Sequence, residues 1–223
     1  MGAKIYERHP SMEIEEMEDY TFVIPAREGS KAFPHKNRTL MDYTLQSIPC
    51  DMRSKIIIAT DDEFIKGKYS DYHIYERTEE SSVDTASTKC LMQEIVTHVE
   101  TNNIILLYLT YPERTFGEIL SAVEFYKKHD AYSLLCSKRI GTTPFLMLYE
   151  NGINGEQVIK HDLYRRQDYR KCFELSHYVC IFDKRVINKL NNNLYNKDTV
   201  YYPIHSVIDV DTKNDMEKYL EKN

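Results

Sequence analysis

From Tyr20 onward, short runs of β-branched and aliphatic residues alternate with stretches of helical periodicity. Runs that are apolar at every position belong to strands covered on both faces, so the pattern predicts βαβ units around a mainly parallel sheet. The first strand falls at 21–25; a loop containing Gly29 and Pro34 follows it, then a helix over 40–47. Further strands fall at 55–60, where Ile56, Ile57, Ile58 and Ala59 are consecutive, and at 72–75. Between them, the acids that open 61–66 suit the positive end of a helix dipole. Asp84 reads as the N-cap of a long helix reaching Glu100, with Leu91, Met92, Ile95, Val96 and Val99 along one face. Residues 103–109 predict the central strand, Thr115 caps a helix carrying Ile119, Leu120, Val123 and Tyr126, and the next strand is 130–137.

The parallel rhythm stops at Gly141. Segment 141–173, with hairpin-like pieces around Asn151 to Gly155, reads as an inserted ribbon or dimer arm. The parallel pattern resumes with a strand at 178–182, a helix at 183–191, a strand at 204–208 and a last helix after Asp211. Residues 1–19, rich in Glu and Met, read as an N-terminal extension of a domain spanning 20–223.

Length and composition keep this picture and narrow the partners. A chain of 223 residues, 42% hydrophobic and 29% charged, suits one α/β domain with a small elaboration. A net charge of -6 argues against a nucleic-acid polymer, whose binding rests on Lys and Arg contacts. The five cysteines are odd in number and lack CxxC spacing, which points to free thiols rather than zinc ligands or a disulfide framework. No apolar run approaches the roughly 20 residues that cross a bilayer, and the start lacks the apolar middle of a secretory signal. The expectation is no membrane association and a reducing, cytoplasmic setting.

Parallel sheets bind ligands beyond the carboxyl ends of their strands, so the loop P-A-R-E-G-S-K-A-F-P-H-K-N after the first strand lies where chemistry is expected. Gly29 permits a tight turn of exposed N–H groups, Ser30 offers a hydroxyl, and Arg27, Lys31 and Lys36 supply cations for phosphate oxygens. The order is not that of a Walker A loop. Near the other end, Asp209 and Asp211 are two apart and share a face if they lie on a strand. Paired carboxylates call for a cation, and Mg²⁺ takes such oxygens together with phosphates and waters.

Taken in order, these blocks resemble the CMP-sugar acid synthetases, the family of CMP-sialic acid and CMP-deoxy-octulosonate synthetases. Arg27, Gly29, Ser30, Lys31, Lys36 and Asn37 match its RxGSKxxxxKN signature, with Glu28 at a usually small or neutral position. Ala59 to Glu63 looks like the STDD(E) segment, and Arg77 followed by Asp84, Thr85, Ala86 and Ser87 is similar to RPxxLxxDTAS. Leu106 to Thr115 resembles LLQPTSPLRT, agreeing at Thr110, Pro112, Arg114 and Thr115, and V-I-D-V-D-T-K-N-D-M resembles DIDTxxDL. The resemblance covers most of 20–220. It implies a Rossmann-like three-layer nucleotidyltransferase fold with a mainly parallel mixed sheet. The implied reaction transfers CMP from CTP to an acidic sugar or related acceptor, in a homodimer, with Mg²⁺ held by Asp209 and Asp211. On this carry-over Arg27, Lys36 and Asp211 are catalytic. Ser30 and Lys31 complete the phosphate contacts, Asn37 holds the ribose, and Arg77 with Asp84, Thr85, Ala86 and Ser87 reads cytosine.

The acceptor half departs from the family. Tyr108 stands where a Gln contacting the sugar acid is expected, and Arg166 and Gln167 serve as the family's RQ pair. Glu174 replaces a carboxylate-binding cation, and Ser176, His177 and Tyr178 replace an Asn-Gly-Ala run. A Glu there repels a carboxylate and welcomes an amine or hydroxyls, so the acceptor is expected to differ from ordinary sialic acid. His177 and His205 read as packed or exposed residues rather than bases. Two other readings stay open: a same-fold transferase using GTP or ATP, against which the DTAS block argues, and a non-catalytic homologue that binds nucleotide or a partner.

Overall fold

The computed structural model describes residues 17–222. In chain order the elements are β1 (Tyr20–Pro25), α1 (Lys36–Gln46), β2 (Ile56–Thr60), α2 (Glu63–Lys68), β3 (His73–Glu76), α3 (Glu79–Ser82), α4 (Thr88–Ile95) and β4 (Asn103–Leu106). They continue with α5 (Phe116–Lys128), β5 (Ser133–Arg139), β6 (Leu148–Asn151), β7 (Asn154–Gln157), β8 (Phe173–Asp183), β9 (Val200–Pro203) and α6 (Lys213–Lys222). Seven strands form one sheet in the order β3-β2-β1-β4-β8-β5-β9, and β6 pairs with β7 as a separate hairpin. Within the sheet, β8 alone runs antiparallel to its neighbours β4 and β5.

Both faces of the sheet are covered, which is why its strands are apolar at successive positions. On one face Phe22, Ile24, Ile56, Ile58 and Ile105 pack with Leu40 and Met41 of α1 and Ile119 and Val123 of α5. On the other, Val23, Ile57, Ile104 and Leu106 pack with Leu91, Met92 and Ile95 of α4. This is the three-layer α/β architecture with an inserted ribbon that the pattern predicts. Among the described residues no helix is long and apolar enough to cross a membrane.

The structure revises several elements. Of the extension expected over 1–19, residues 1–16 lie outside the described residues. Met17 is fully buried in the core, and Asp19 accepts hydrogen bonds from the Asn102 amide at 2.9 Å and Asn103 Nδ2 at 3.0 Å, so packing begins ahead of Tyr20. Asp84 caps no helix. Ser87 caps α4, and the Asp84 carboxylate pairs with Arg27 and Lys31 instead. The segment expected as a parallel strand at 178–182 is the middle of β8, which runs against its neighbours because the chain re-enters the sheet from the 141–173 arm at the carboxyl edge. The helix expected at 183–191 is a 3-10 turn over Lys184–Lys189. The strand expected at 204–208 lies earlier, as β9. Residues beyond it are irregular because side chains and loops take their amides: Ile208 N donates to Glu113 Oε1 at 2.6 Å and Val210 N to the Thr110 carbonyl at 2.8 Å.

One side chain cross-links this carboxyl edge. Arg114 is only 3% exposed, and it donates to the Tyr178 carbonyl at 2.7 Å, the Tyr108 carbonyl at 3.0 Å and Thr44 Oγ1 at 3.4 Å. It therefore joins β8, the loop after β4 and α1. Burial pulls its guanidinium down to about 10, yet it stays charged at neutral pH. Next to it, Thr115 and Glu118 form a complete capping box that fixes the start of α5. Truncation as Arg114→Ala strands two carbonyls and leaves a void, so it should lower unfolding free energy by roughly 3–5 kcal/mol. Urea denaturation measures this, and a loss below about 1 kcal/mol would contradict the cross-linking role.

Candidate functional site

The loop after β1 is built by hydrogen bonds to its neighbours. Thr60 Oγ1 donates to the Ala26 carbonyl at 2.6 Å, Glu28 N donates to Asp61 Oδ1 at 2.7 Å, and Asn37 Nδ2 donates to the Arg27 carbonyl at 2.7 Å. At the crest Gly29 has φ 85°, a left-handed conformation that glycine adopts without steric cost. Asp62 anchors the base: its carboxylate caps α2 through the amides of Phe64 and Ile65 and accepts from Arg38 Nε at 2.8 Å. Burial alone would raise the Asp62 carboxyl, but the bonds from Arg38 and the two amides outweigh it and hold it below its ordinary 3.8. The A-T-D-D-E block is thus a scaffold for the loop.

This loop, the turn after β4 and the segment before α6 enclose a cavity of about 710 Å³ at the carboxyl edge of the sheet. Arg27, Gly29, Ser30, Lys31, Lys36, Asn37, Arg77, Asp84, Ala86, Tyr108, Asp209 and Asp211 all line it. The cationic loop and the two aspartates, far apart in sequence, converge: Lys36 Nζ lies 2.6 Å from Asp211 Oδ1. Arg27 and Lys31 meet Asp84 at 2.7 and 2.5 Å, which draws the Asp84 carboxyl below its ordinary range, Lys31 contributing most. Arg77 is mostly buried. It donates to the Ser81 carbonyl, its Nε has no partner, and burial lowers its guanidinium from the usual value.

The aspartates sit in irregular chain rather than on a strand, so they reach the cavity through loop tethers and not through strand alternation. Asp209 Oδ2 accepts from the Tyr111 hydroxyl at 2.9 Å, while Oδ1 is buried with no hydrogen-bond partner. A buried carboxylate oxygen without a donor is the chemistry a divalent cation satisfies. Among the described residues no cluster of three or more His, Cys, Asp or Glu forms a metal cage by itself. Two carboxylates fit Mg²⁺ when phosphates and waters supply the remaining oxygens.

Other sequence expectations fall outside this lining. Thr85 is exposed and Ser87 caps α4, whereas Thr88 lines the cavity. Arg166 and Gln167 lie exposed on the arm, in a 3-10 turn away from the lining. Glu174 also lies outside it and pairs with Lys138 at 3.0 Å, so its charge is matched and does not face the cavity. His177, read from sequence as a residue without a role, does line it. Its ring meets Tyr108 at 5.3 Å, and its Nε2 lies 3.1 Å from the Asn193 carbonyl. Tyr108 is nearly buried, and burial holds its phenol protonated well above the usual range. Tyr111 was also missed; its place in the turn directly after a parallel strand was the available signal.

Fold and site together define a three-layer α/β chain of the nucleotidyltransferase-like fold, with a cationic turn and two aspartates in one cavity. No protein-family model matches the sequence. In sequence the chain is similar to N-acylneuraminate cytidylyltransferases. It is 25% identical to that of Streptococcus agalactiae serotype III (strain NEM316) over 209 residues, 86% of this chain and 50% of the relative. It is 29% identical to that of Escherichia coli O18:K1:H7 over 125 residues, 52% of this chain and 30% of the relative. The chain spans about half the length of the first of these and less of the second. Among solved structures, the fold matches CMP:2-keto-3-deoxy-manno-octonic acid synthetase complexed with CTP, with TM-score 0.64 and 14% identity over 91% of this chain and 97% of that one. It also matches 4-diphosphocytidyl-2C-methyl-D-erythritol synthase of Anaerococcus prevotii, with TM-score 0.61 and 14% identity over 93% and 99%.

Because the folded Asp62 carboxyl titrates below the unfolded one, its contribution to stability is complete above 3.8 and is lost as pH falls through the lower folded value. The urea midpoint difference between the native chain and Asp62→Asn should therefore be constant from neutral pH down to about 5 and shrink below about 4. A difference that grows on acidification would contradict the assignment.

Proposed function

We propose that this chain is a CTP-dependent cytidylyltransferase that transfers CMP to an acidic or modified sugar and releases pyrophosphate. The observation that carries this reading is the meeting of Lys36 and Asp211 across one cavity, at 2.6 Å. It joins the cationic turn behind β1 to the twin aspartates. The relatives named above support cytidine as the base, and the Asp84 to Ala86 stretch, which reaches the cavity beside Arg77, supports it from within the chain.

In the proposed reaction an acceptor hydroxyl attacks the α-phosphorus and gives its proton to water, while the bond from that phosphorus to the oxygen bridging to the β-phosphate breaks and that oxygen leaves with pyrophosphate. The triphosphate replaces Asp84 and Asp211 as partner of Arg27, Lys31 and Lys36, and these cations offset the charge that builds on departing pyrophosphate. Ser30 and the exposed amides around Gly29 supply further donors. Asp209 and Asp211 would hold Mg²⁺, which when bound neutralises phosphate charge and keeps the groups in line. Tyr108 and His177 form the aromatic wall against which the acceptor rests. Glu174 is matched by Lys138 and gives no reason against a carboxylate-bearing acceptor. The exposed apolar residues of the β6–β7 hairpin, Leu148, Tyr149 and Ile153, support a homodimer formed through the arm.

Pyrophosphate release measured with CTP, Mg²⁺ and a panel of nonulosonic and octulosonic acids tests the proposal. Turnover is expected with CTP over GTP and ATP, and Lys36→Ala and Asp211→Ala should each lower it by at least about 100-fold. CTP binding without pyrophosphate release for any acceptor would count against an enzyme, and preference for another nucleotide would count against cytidine.

A further inference from the structure

We propose that Tyr111 is a positioning residue: its hydroxyl clamps one oxygen of Asp209 so that the other is presented to the divalent cation. The inference rests on the reading of Asp209 and Asp211 as the Mg²⁺ pair, and it separates their roles.

Asp209 is pinned on three sides. Ahead of it, Ile208 N donates to Glu113 Oε1 at 2.6 Å. Behind it, Val210 N donates to the Thr110 carbonyl at 2.8 Å. Glu113 is fixed in turn by Lys222 of α6, at 2.7 Å. With the backbone held, the freedom left to Asp209 is its side-chain torsions, and the Tyr111 hydroxyl removes that freedom by donating to Oδ2 at 2.9 Å. Oδ1 is left buried and without a partner in a cavity that Asp209 lines.

Tyr111 is itself immobilised. It is 4% exposed, its ring meets Tyr178 edge-on at 5.4 Å, and the Tyr178 hydroxyl donates to Glu118 Oε2 at 2.7 Å. Glu118 belongs to the capping box of α5. Tyr111 itself packs against the Tyr178 ring, which does not need the Tyr178 hydroxyl. Asp211 differs: its side chain is 64% exposed and paired with Lys36. One carboxylate is set before any ligand arrives, and the other must exchange a lysine for it. Groups that hydrogen-bond to metal ligands fix their orientation, and their loss typically weakens metal affinity by about 10- to 100-fold. Tyr111 occupies a position where the motif it resembles, LLQPTSPLRT, has a serine.

Mn²⁺ is the probe. Its binding to the full chain in the presence of CTP, followed by electron paramagnetic resonance, is compared for the native chain, Tyr111→Phe and Tyr178→Phe. Tyr111→Phe keeps the ring and removes the hydroxyl that holds Asp209, so in the folded chain it should weaken Mn²⁺ by about 10-fold or more. Tyr178→Phe removes a hydroxyl from the same packing without touching the Asp209 bond, and should bind Mn²⁺ as the native chain does. In turnover, Tyr111→Phe should raise the apparent KM for Mg²⁺ and recover kcat at saturating Mg²⁺. Equal Mn²⁺ affinity in native and Tyr111→Phe chains overturns the proposal and leaves the aspartate pair intact. Equal weakening in Tyr178→Phe, or a kcat that saturating Mg²⁺ does not restore, also overturns it. If the native chain with CTP binds no Mn²⁺, the underlying metal reading fails first.

Discussion

The carboxyl edge of this sheet depends on a guanidinium with no ion pair among the described residues. Arg114 is held by two carbonyls and a threonine hydroxyl, and its Nε has no partner. Desolvation makes a buried cation costly, so its position is dictated by the few acceptors that surround it. Those acceptors belong to separate elements. By satisfying the Tyr108 and Tyr178 carbonyls together, Arg114 sets where the loop after β4 meets the antiparallel strand. From that loop hang Tyr111, Glu113 and Thr110, which in turn position the segment bearing Asp209 and Asp211. The Arg-Thr pair that looks in sequence like part of a substrate motif is, in three dimensions, the fastening of the site.

Charge in the cavity is balanced internally. Arg27 and Lys31 share Asp84, and Lys36 faces Asp211. An acidic chain can therefore carry a cationic site, because what matters to a ligand is the local array and not the net charge of -6. These ion pairs are partly exposed and individually weak, so under the proposed function a triphosphate would replace them at small cost.

Much of this was legible in the sequence, for reasons that can be stated. Doubly buried strands announce themselves by consecutive apolar residues, and Ile56, Ile57 and Ile58 or Ile104, Ile105 and Leu106 leave little choice of structure. The cationic turn was legible because it follows such a strand. What failed was any inference needing a partner distant in sequence. Asp84 has the chemistry of an N-cap and would serve as one, but two cations from the loop after β1 claim its carboxylate. The direction of β8 was invisible, since an apolar run reads the same both ways. The spacing of Asp209 and Asp211 suggested a strand face, whereas loop tethers hold them. Glu174 looked like an intrusion into a carboxylate site until Lys138, across the strand pair, was seen to match it.

The reversal of β8 has an architectural consequence. Because β5 leaves the sheet and β8 returns to it at the same rim, the whole 141–173 arm is attached by two neighbouring stalks beside the cavity. The half that holds the cationic turn sits on β1, β2 and α1 and shares no strand with those stalks. Such a design is modular: the arm can be lengthened, shortened or exchanged through evolution without disturbing the cationic turn, because the two hang from different strands of the sheet.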